Sequence, residues 1–362
     1  MNVNDRTLDF VMIGKSILSS FRYPQADLYR GLVGELAQRG HRTVFLECER
    51  ADEKWQRDML RTPYCDVWTY ADTNSLLDEY TPAIEAADIV ILGSAVPEAH
   101  RIAAWIADKA KGVKVYYDTD LARTLDSLAN DNSDEECISC STVPIFDIYL
   151  STTGGAALDR LMQEYGCRFA RPLYESIDPY FYYRTDTHKQ YDLGFIGNFK
   201  PERDQHLEEL LLQPARHTPN RRFVLAGDNY PADVDWPDNL TYIEHLPETN
   251  HVDFYNRQHC SLVLARADRR ALGFTPSKRL LAAAACGVPI LTHHWEGIEQ
   301  FFEPQREVFL VEDCHQVLDV LYQSNDLDRS RVGEYARERV LAQHTTAHRT
   351  DQLLAFWHEI AD

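Results

Sequence analysis

The chain has 362 residues, 44% hydrophobic and 26% charged, with 16 Gly and 16 Pro, which is the composition of a folded protein of about two domains. A formal net charge of −20 argues against a surface built for nucleic acid or an anionic membrane. No apolar run reaches membrane-spanning length and the start MNVNDRTLDF lacks signal-peptide character, so a cytoplasmic protein without a membrane span is expected.

Strand and helix signals alternate from the start. Leu8 to Ile13 reads as a strand, Gly14 to Pro24 as a loop, Asp27 to Arg39 as a helix stopped by Gly40, and Thr43 to Leu46 as a second strand. Asp88 to Leu92 predicts another strand, followed by Gly93, a loop and a helix around Trp105. Val113 to Tyr117 leads into Asp118-Thr119-Asp120, and Asp147 to Leu150 into Thr153-Gly154-Gly155 and a helix carrying Leu158 and Leu161. Such alternation predicts parallel βαβ units, whose ligands sit at the carboxyl ends of the strands.

Arg171 to Tyr191 holds two prolines and five tyrosines and reads as a linker. The alternation then resumes. Leu193 to Ile196 ends in Gly197-Asn198, a helix runs from Glu202 to Leu212, and Phe223 to Ala226 ends in Gly227. Tyr242-Ile243 precedes His245, and Ser261 to Ala265 forms another strand. A last helix is expected around Leu353 to Ile360. The eight cysteines are scattered and read as reduced thiols, and the one CxxC, Cys137 and Cys140, has no second pair at zinc-ligand distance. Gly14-Lys15-Ser16 lacks the upstream glycine of a P-loop.

The most informative stretch is GFTPSKRLLAAAACGVP, Gly273 to Pro289. Thr275 is placed as N-cap and Pro276 as first helical residue, which puts Ser277 and Lys278 in the first turn. Unpaired amides and the positive end of the dipole there suit an anion, most simply a diphosphate. Leu280, Leu281 and Ala282 to Ala285 let the helix lie close to a sheet, and Gly287 ends it.

This stretch resembles the donor-site helix of group 1 glycosyltransferases, whose pattern opens E-A-x-x-x-G-x-P. It is most similar to the CgeB-like (spore-maturation-protein-like) branch, departing at Leu281 and at Ala282, which replaces the ribose-binding glutamate. The resemblance extends to SSFRYPQADLYRGLVGELAQRGHRTVFLE, VYYDTDLARTL, FDIYLSTTGG, YDLGFIGN, FVLAGDNYP and HTTAHRTDQLL. It implies a GT-B fold, α/β with two doubly wound Rossmann-like domains facing a central cleft. The expected parts are 1–172 for the acceptor, 173–345 for the donor, and a helix, 346–362, returning to the first. It also implies sugar transfer from a nucleotide-diphosphate sugar, with no cofactor and no metal.

By that resemblance Gly197 admits the diphosphate, Asn198 lies beside it, and Arg203 neutralises its oxygens. Gly227 approaches the base, His245 and Leu246 contact it, and Thr275, Ser277 and Lys278 supply amides and charge. Arg279 points the other way along the helix and has a structural role as readily as a binding one. Glu296 and Gly297 resemble the sugar loop, and the preceding His293 and His294, neighbours on a strand end, point apart and do not read as a metal site. In the first domain Asp118 or Asp120 is the candidate general base, against capping of the helix from Leu121, with His100 next. The acceptor is a glycan, small molecule or protein, with nucleic acid disfavoured. The alternatives are a GT-B nucleotide-sugar epimerase and, because of Ala282, a nucleotide-binding homologue without turnover.

Overall fold

The computed structural model describes residues 6–20, 23, 25–49, 57–130, 135–323 and 325–361, with the backbone alone at 202–204, 323, 326 and 361. The chain divides into two compact units, Met1–Tyr174 with Thr346–Asp362, and Glu175–Thr345.

The first unit holds a seven-stranded parallel sheet. Its strands are Asp9–Gly14 (β1), Arg42–Cys48 (β2), Asp66–Tyr70 (β3), Ile89–Gly93 (β4), Val113–Asp118 (β5), Ile148–Ser151 (β6) and Ala170–Pro172 (β7), in the order β3-β2-β1-β4-β5-β6-β7. The central strands β1 and β4 are near-continuous apolar runs, as parallel strands covered on both faces require. Helices Gln25–Gln38, Thr73–Ala86, Ala99–Lys109, Leu121–Ala129 and Ala156–Glu164 make the crossovers. The helix Thr346–Ala361 lies on Gln25–Gln38 so closely that a Cβ on Gly31 would lie 2.7 Å from Thr346 Cγ2. Leu353 and Trp357 complete the core of this unit alongside Phe10, Leu32 and Leu36.

The second unit has a six-stranded parallel sheet. Its strands are Tyr191–Ile196 (β8), Phe223–Ala226 (β9), Leu240–Ile243 (β10), Gln258–Val263 (β11), Ile290–Thr292 (β12) and Phe309–Leu310 (β13), in the order β10-β9-β8-β11-β12-β13. The strand order reverses between β8 and β11, the place where doubly wound sheets hold ligands. The helix Lys278–Ala285 connects β11 to β12 with Leu280 to Ala285 all buried. Behind it runs the helix Asp326–Gln343, where a Cβ on Gly333 would meet the Gly287 carbonyl at 2.4 Å.

Three element expectations change. The region 171–191 opens on the end of β7, and from Glu175 onward it belongs to the second unit, where Ile177 bridges to Thr345. The helix expected from Glu202 to Leu212 is Pro201–Leu207, widened into a π-turn over Glu208–Leu212 and continued by Gln213–His217. A proline, Pro214, follows the π-turn, and the amide that proline lacks removes one helical bond there. The organising helix starts later than expected. Ser277, with extended backbone, is its N-cap and accepts the Leu280 amide through Oγ at 3.3 Å, while Thr275 is buried before it. Phe274 takes φ +45° and the tight loop it makes delays the helix past Pro276.

Candidate functional site

At the carboxyl ends of the second sheet three loops are tied together. Gly197 ends β8 and Gly227 ends β9, and a Cβ on Gly227 would lie 2.1 Å from the Gly197 carbonyl oxygen. Gly227 also has φ +152°, so only glycine lets these backbones meet. Asn198 Oδ1 accepts the Asp228 amide at 3.1 Å, and the Asp228 carboxylate lies 3.6 Å from His245 Nδ1 in the loop after β10. Leu246 beside it is half-buried.

The loops after β11 and β12 form a second bound pair. The Phe274 amide donates to the Glu296 carbonyl at 2.6 Å, and a Cβ on Gly297 would lie 2.3 Å from the Phe274 ring. Glu296 is exposed, so its carboxylate faces solvent beside the start of the donor-type helix.

The first turn of that helix holds two cations with different partners. Lys278 Nζ is bound to Glu248 at 2.5 Å and lies over the Tyr182 ring, whose hydroxyl also meets Glu248 at 3.1 Å. Its charge is therefore shared with Glu248. Arg279 is the residue the sequence reading misplaced. A Cβ on Gly197 would lie 3.2 Å from Arg279 Nη1, so the guanidinium points into the glycine loop rather than away from it. Among the described residues no carboxylate is paired with it. Burial lowers its pKa, Tyr255 and Tyr230 raise it, and Arg269 lowers it again, yet an arginine keeps its charge. Helix periodicity alone could not assign the direction of a first-turn side chain. The side chain of Arg203 lies outside the described residues, although its backbone sits on the helix Pro201–Leu207.

Ala282 is 2% exposed and offers only a methyl group. His293 and His294 go to opposite environments. His293 is 1% exposed, accepts the Ala265 amide through Nε2 at 3.3 Å, and is pushed down to about 3 by burial, then by Arg270 and His206. His294 is exposed and 3.4 Å from Glu299. No cluster of three or more metal-ligating side chains occurs among the described residues.

In the first unit, the loops after β4, β5 and β6 are stitched through hydroxyls. Ser94 Oγ lies 2.9 Å from Thr119 Oγ1 and accepts the Thr119 amide, while Thr152 Oγ1 donates to the Thr119 carbonyl. Asp118 is fully buried, and both of its oxygens are used: Oδ2 accepts Tyr149 Oη at 2.6 Å and Oδ1 the Asp120 amide at 2.8 Å. Burial pushes its carboxyl up, and the bonds from Tyr149, Thr124 and Asp120 oppose this. Asp118 is thus an anchor for the turn into Leu121–Ala129, leaving it no face for a substrate. Asp120 occupies the N-cap position without a side-chain cap bond and is half-buried. His100 is exposed at the start of Ala99–Lys109, beyond a loop in which Ala95 and Glu98 both have positive φ. Backbone strain of that kind gathers at working loops, and nothing in the sequence marks it there because neither residue is Gly or Asn.

Comparison with known proteins agrees with this layout. Residues 203–355 match a family model described as glycosyl transferase-like. Among solved structures, sucrose-phosphate synthase (tll1590) from Thermosynechococcus elongatus is 13% identical, covering 98% of this chain and 99% of that one with a TM-score of 0.70. Alr3699/HepE from Anabaena, crystallised with UDP and glucose, is 11% identical over 97% of this chain and 100% of its own, also at 0.70. An alpha-glucosyltransferase in complex with UDP-glucose and DNA containing an abasic site is 11% identical over 98% and 100%, at 0.70. The search of curated proteins by sequence gave no match. The fold is that of the GT-B glycosyltransferases, and the stretch that matches the glycosyl transferase-like family, 203–355, lies mostly in the second unit. No helix among the described residues is long and apolar enough to cross a membrane.

Proposed function

We propose that this chain transfers a sugar from a nucleoside diphosphate sugar to an acceptor hydroxyl or amine. The observation that carries the reading is the placement of the Arg279 guanidinium against the Gly197–Gly227 loops, at the strand-order reversal and beside the first turn of Lys278–Ala285. Fixed positive charge and helix-start amides are what a departing diphosphate requires as its bond to the anomeric carbon breaks. The acceptor atom forms the new bond to that carbon and gives its proton to a general base, for which the candidate is Asp120, the more accessible of the two aspartates after β5. All the charge in this account comes from the chain itself, so no metal or other cofactor is invoked. The binding of UDP and glucose by one structural neighbour and of UDP-glucose by another supports a nucleotide-sugar donor.

Within that class we assign the chain to the CgeB-like branch, on the run from Gly273 to Pro289, and to the cytoplasm. One structural neighbour is bound to DNA, but a net charge of −20 favours a glycan, small-molecule or protein acceptor here. The test is a panel of uridine, guanosine, adenosine and thymidine diphosphate sugars incubated with and without sugar and peptide acceptors. Mass-detected glycosylated product with stoichiometric nucleotide release supports transfer. Conversion of the donor sugar to its epimer without any acceptor identifies the epimerase instead, and nucleotide binding with neither product identifies a homologue that has lost turnover.

A further inference from the structure

A second built pocket lies at the opposite ends of the strands in the second unit. It has a volume of 590 Å³ and is bordered by Arg184, Lys189, Asn256, Gly287, Arg329 and Arg337. Lys189 precedes β8 and Gly287 precedes β12, so the pocket belongs to the amino ends of the sheet. The helix Lys278–Ala285 therefore begins at the candidate donor site and ends here.

The charge of this pocket is unusual for a chain of net −20. Four cations line it, Arg184, Lys189, Arg329 and Arg337, against the carboxylates Asp186 and Glu334. Glu334 is already shared, 2.6 Å from Arg184 Nη1 and 3.5 Å from Arg337 Nη1. Arg329, 7% exposed, gives Nη1 to the carbonyls of Val320 and Leu321. Arg337 Nε is buried without an acceptor. Lys189 has no ion pair or hydrogen-bond acceptor among the described residues, and burial, then Arg184, push its pKa down. The stems of Arg184 and Arg337 converge over Gly287, each Cδ 3.4 and 3.5 Å from where a Cβ would stand. Burying an ammonium without a counter-charge is unfavourable, and an anion seated among these groups would remove that penalty. Guanidinium donors match phosphate oxygens, and the volume suits a small molecule rather than phosphate alone.

We propose that this pocket binds the phosphate group of a small phosphorylated molecule, with Lys189 and Arg337 as its principal ligands and Arg184 at the rim. Binding here is separate from donor binding, and its detection needs no turnover.

Ribose 5-phosphate serves as probe, titrated by calorimetry into the full chain with UDP in excess and ionic strength held constant, with ribose as control. One site should appear that ribose does not fill. Lys189→Met and Arg337→Gln should each weaken it at least tenfold, whereas Arg279→Ala, at the other end of the helix, should not change it. Hydrogen exchange on the natural protein gives an arm that needs no variant: added protection on binding should appear at 184–189 and 329–337. Equal binding of ribose, displacement by UDP, full affinity in both pocket variants, or protection confined to other segments would each overturn the proposal.

Discussion

Gly227 and Gly197 touch through their backbones: a Cβ on the first would stand 2.1 Å from the carbonyl oxygen of the second. The contact exists because Gly227 holds φ +152°, and Tyr230 Oη fixes the same Gly197 carbonyl from another side at 2.7 Å. Gly227→Ala must therefore both strain its own backbone and displace the β8 loop. The expected cost is about 2–5 kcal/mol, read as a lowered urea midpoint. Nucleotide affinity should fall as well, since the displaced loop is the one Arg279 faces. An unchanged midpoint would show that the two loops can separate freely.

Arg279 yields the most direct test of the binding site. Removing its guanidinium should weaken a nucleoside diphosphate by about 1.5–3 kcal/mol, the range for a charge-assisted hydrogen bond. Calorimetry on Arg279→Ala, with Arg203→Ala alongside, separates the two arginines. A loss confined to the Arg203 variant would return the diphosphate to the helix Pro201–Leu207.

The difference between these two arginines shows how far the sequence carries. Parallel strands such as β1 and β4 announce themselves as unbroken apolar runs, and the alanine run of the organising helix is equally plain, although the sequence puts its N-cap at Thr275 and the structure at Ser277. The edge strand Asp66–Tyr70 is not legible, because DVWTY mixes charge with half-exposed aromatics and only one neighbour strand covers it. The long helix Asp326–Gln343 is also missed: it shows mostly charged side chains and buries a thin line of Val332, Ala336 and Val340. Side-chain direction is the larger gap. Whether Lys278 or Arg279 meets a ligand depends on Glu248, thirty positions away, taking up the lysine.

The two carboxylates of the first unit should separate by phenotype. Asp118→Asn places an amide group opposite a donor, either Tyr149 Oη or the Asp120 amide, and should lower stability by about 1–3 kcal/mol. Asp120→Asn should leave stability nearly unchanged and lower kcat by ~10²–10⁴ with nucleotide affinity retained. If Asp120→Asn keeps near-native turnover, His100→Gln is the next variant to assay.

Acid sensitivity follows from two histidines of the second unit. Burial pushes His251 down to about 4 and His293 down to about 3, below the ordinary value of 6.5. Unfolding restores their proton affinity, so the unfolded chain binds more protons between these values. Their contribution to stability is complete above pH 6.5 and is lost as pH falls toward 4 for His251 and toward 3 for His293. Each full proton of difference contributes about 1.4 kcal/mol per pH unit to the slope. His293→Gln keeps an acceptor for the Ala265 amide and should flatten the fall of the urea midpoint between pH 6.5 and 4. The same slope in variant and natural protein would exclude His293 as a contributor.

Ala282 marks the departure from the glycosyltransferase pattern, and its burial sharpens what a replacement should do. A glutamate there would accept from ribose hydroxyls, with charge-assisted bonds of roughly 1.5–3 kcal/mol each. Without nucleotide its carboxylate would instead occupy a site that is 2% exposed, beside a helix pressed on the sheet. Ala282→Glu should therefore melt at lower temperature than the natural protein when empty, because a buried carboxylate without a partner is unfavourable. Uridine and guanosine diphosphates should recover more of that loss than thymidine diphosphate, whose sugar lacks the 2′-hydroxyl. In calorimetry the ribonucleotides should tighten and the deoxyribonucleotide should stay nearly constant. A natural protein that already prefers thymidine diphosphate would explain why alanine is tolerated at this position. Equal shifts for all three nucleotides would show that residue 282 does not meet the ribose, and the alanine would then stand as a packing choice of the helix alone.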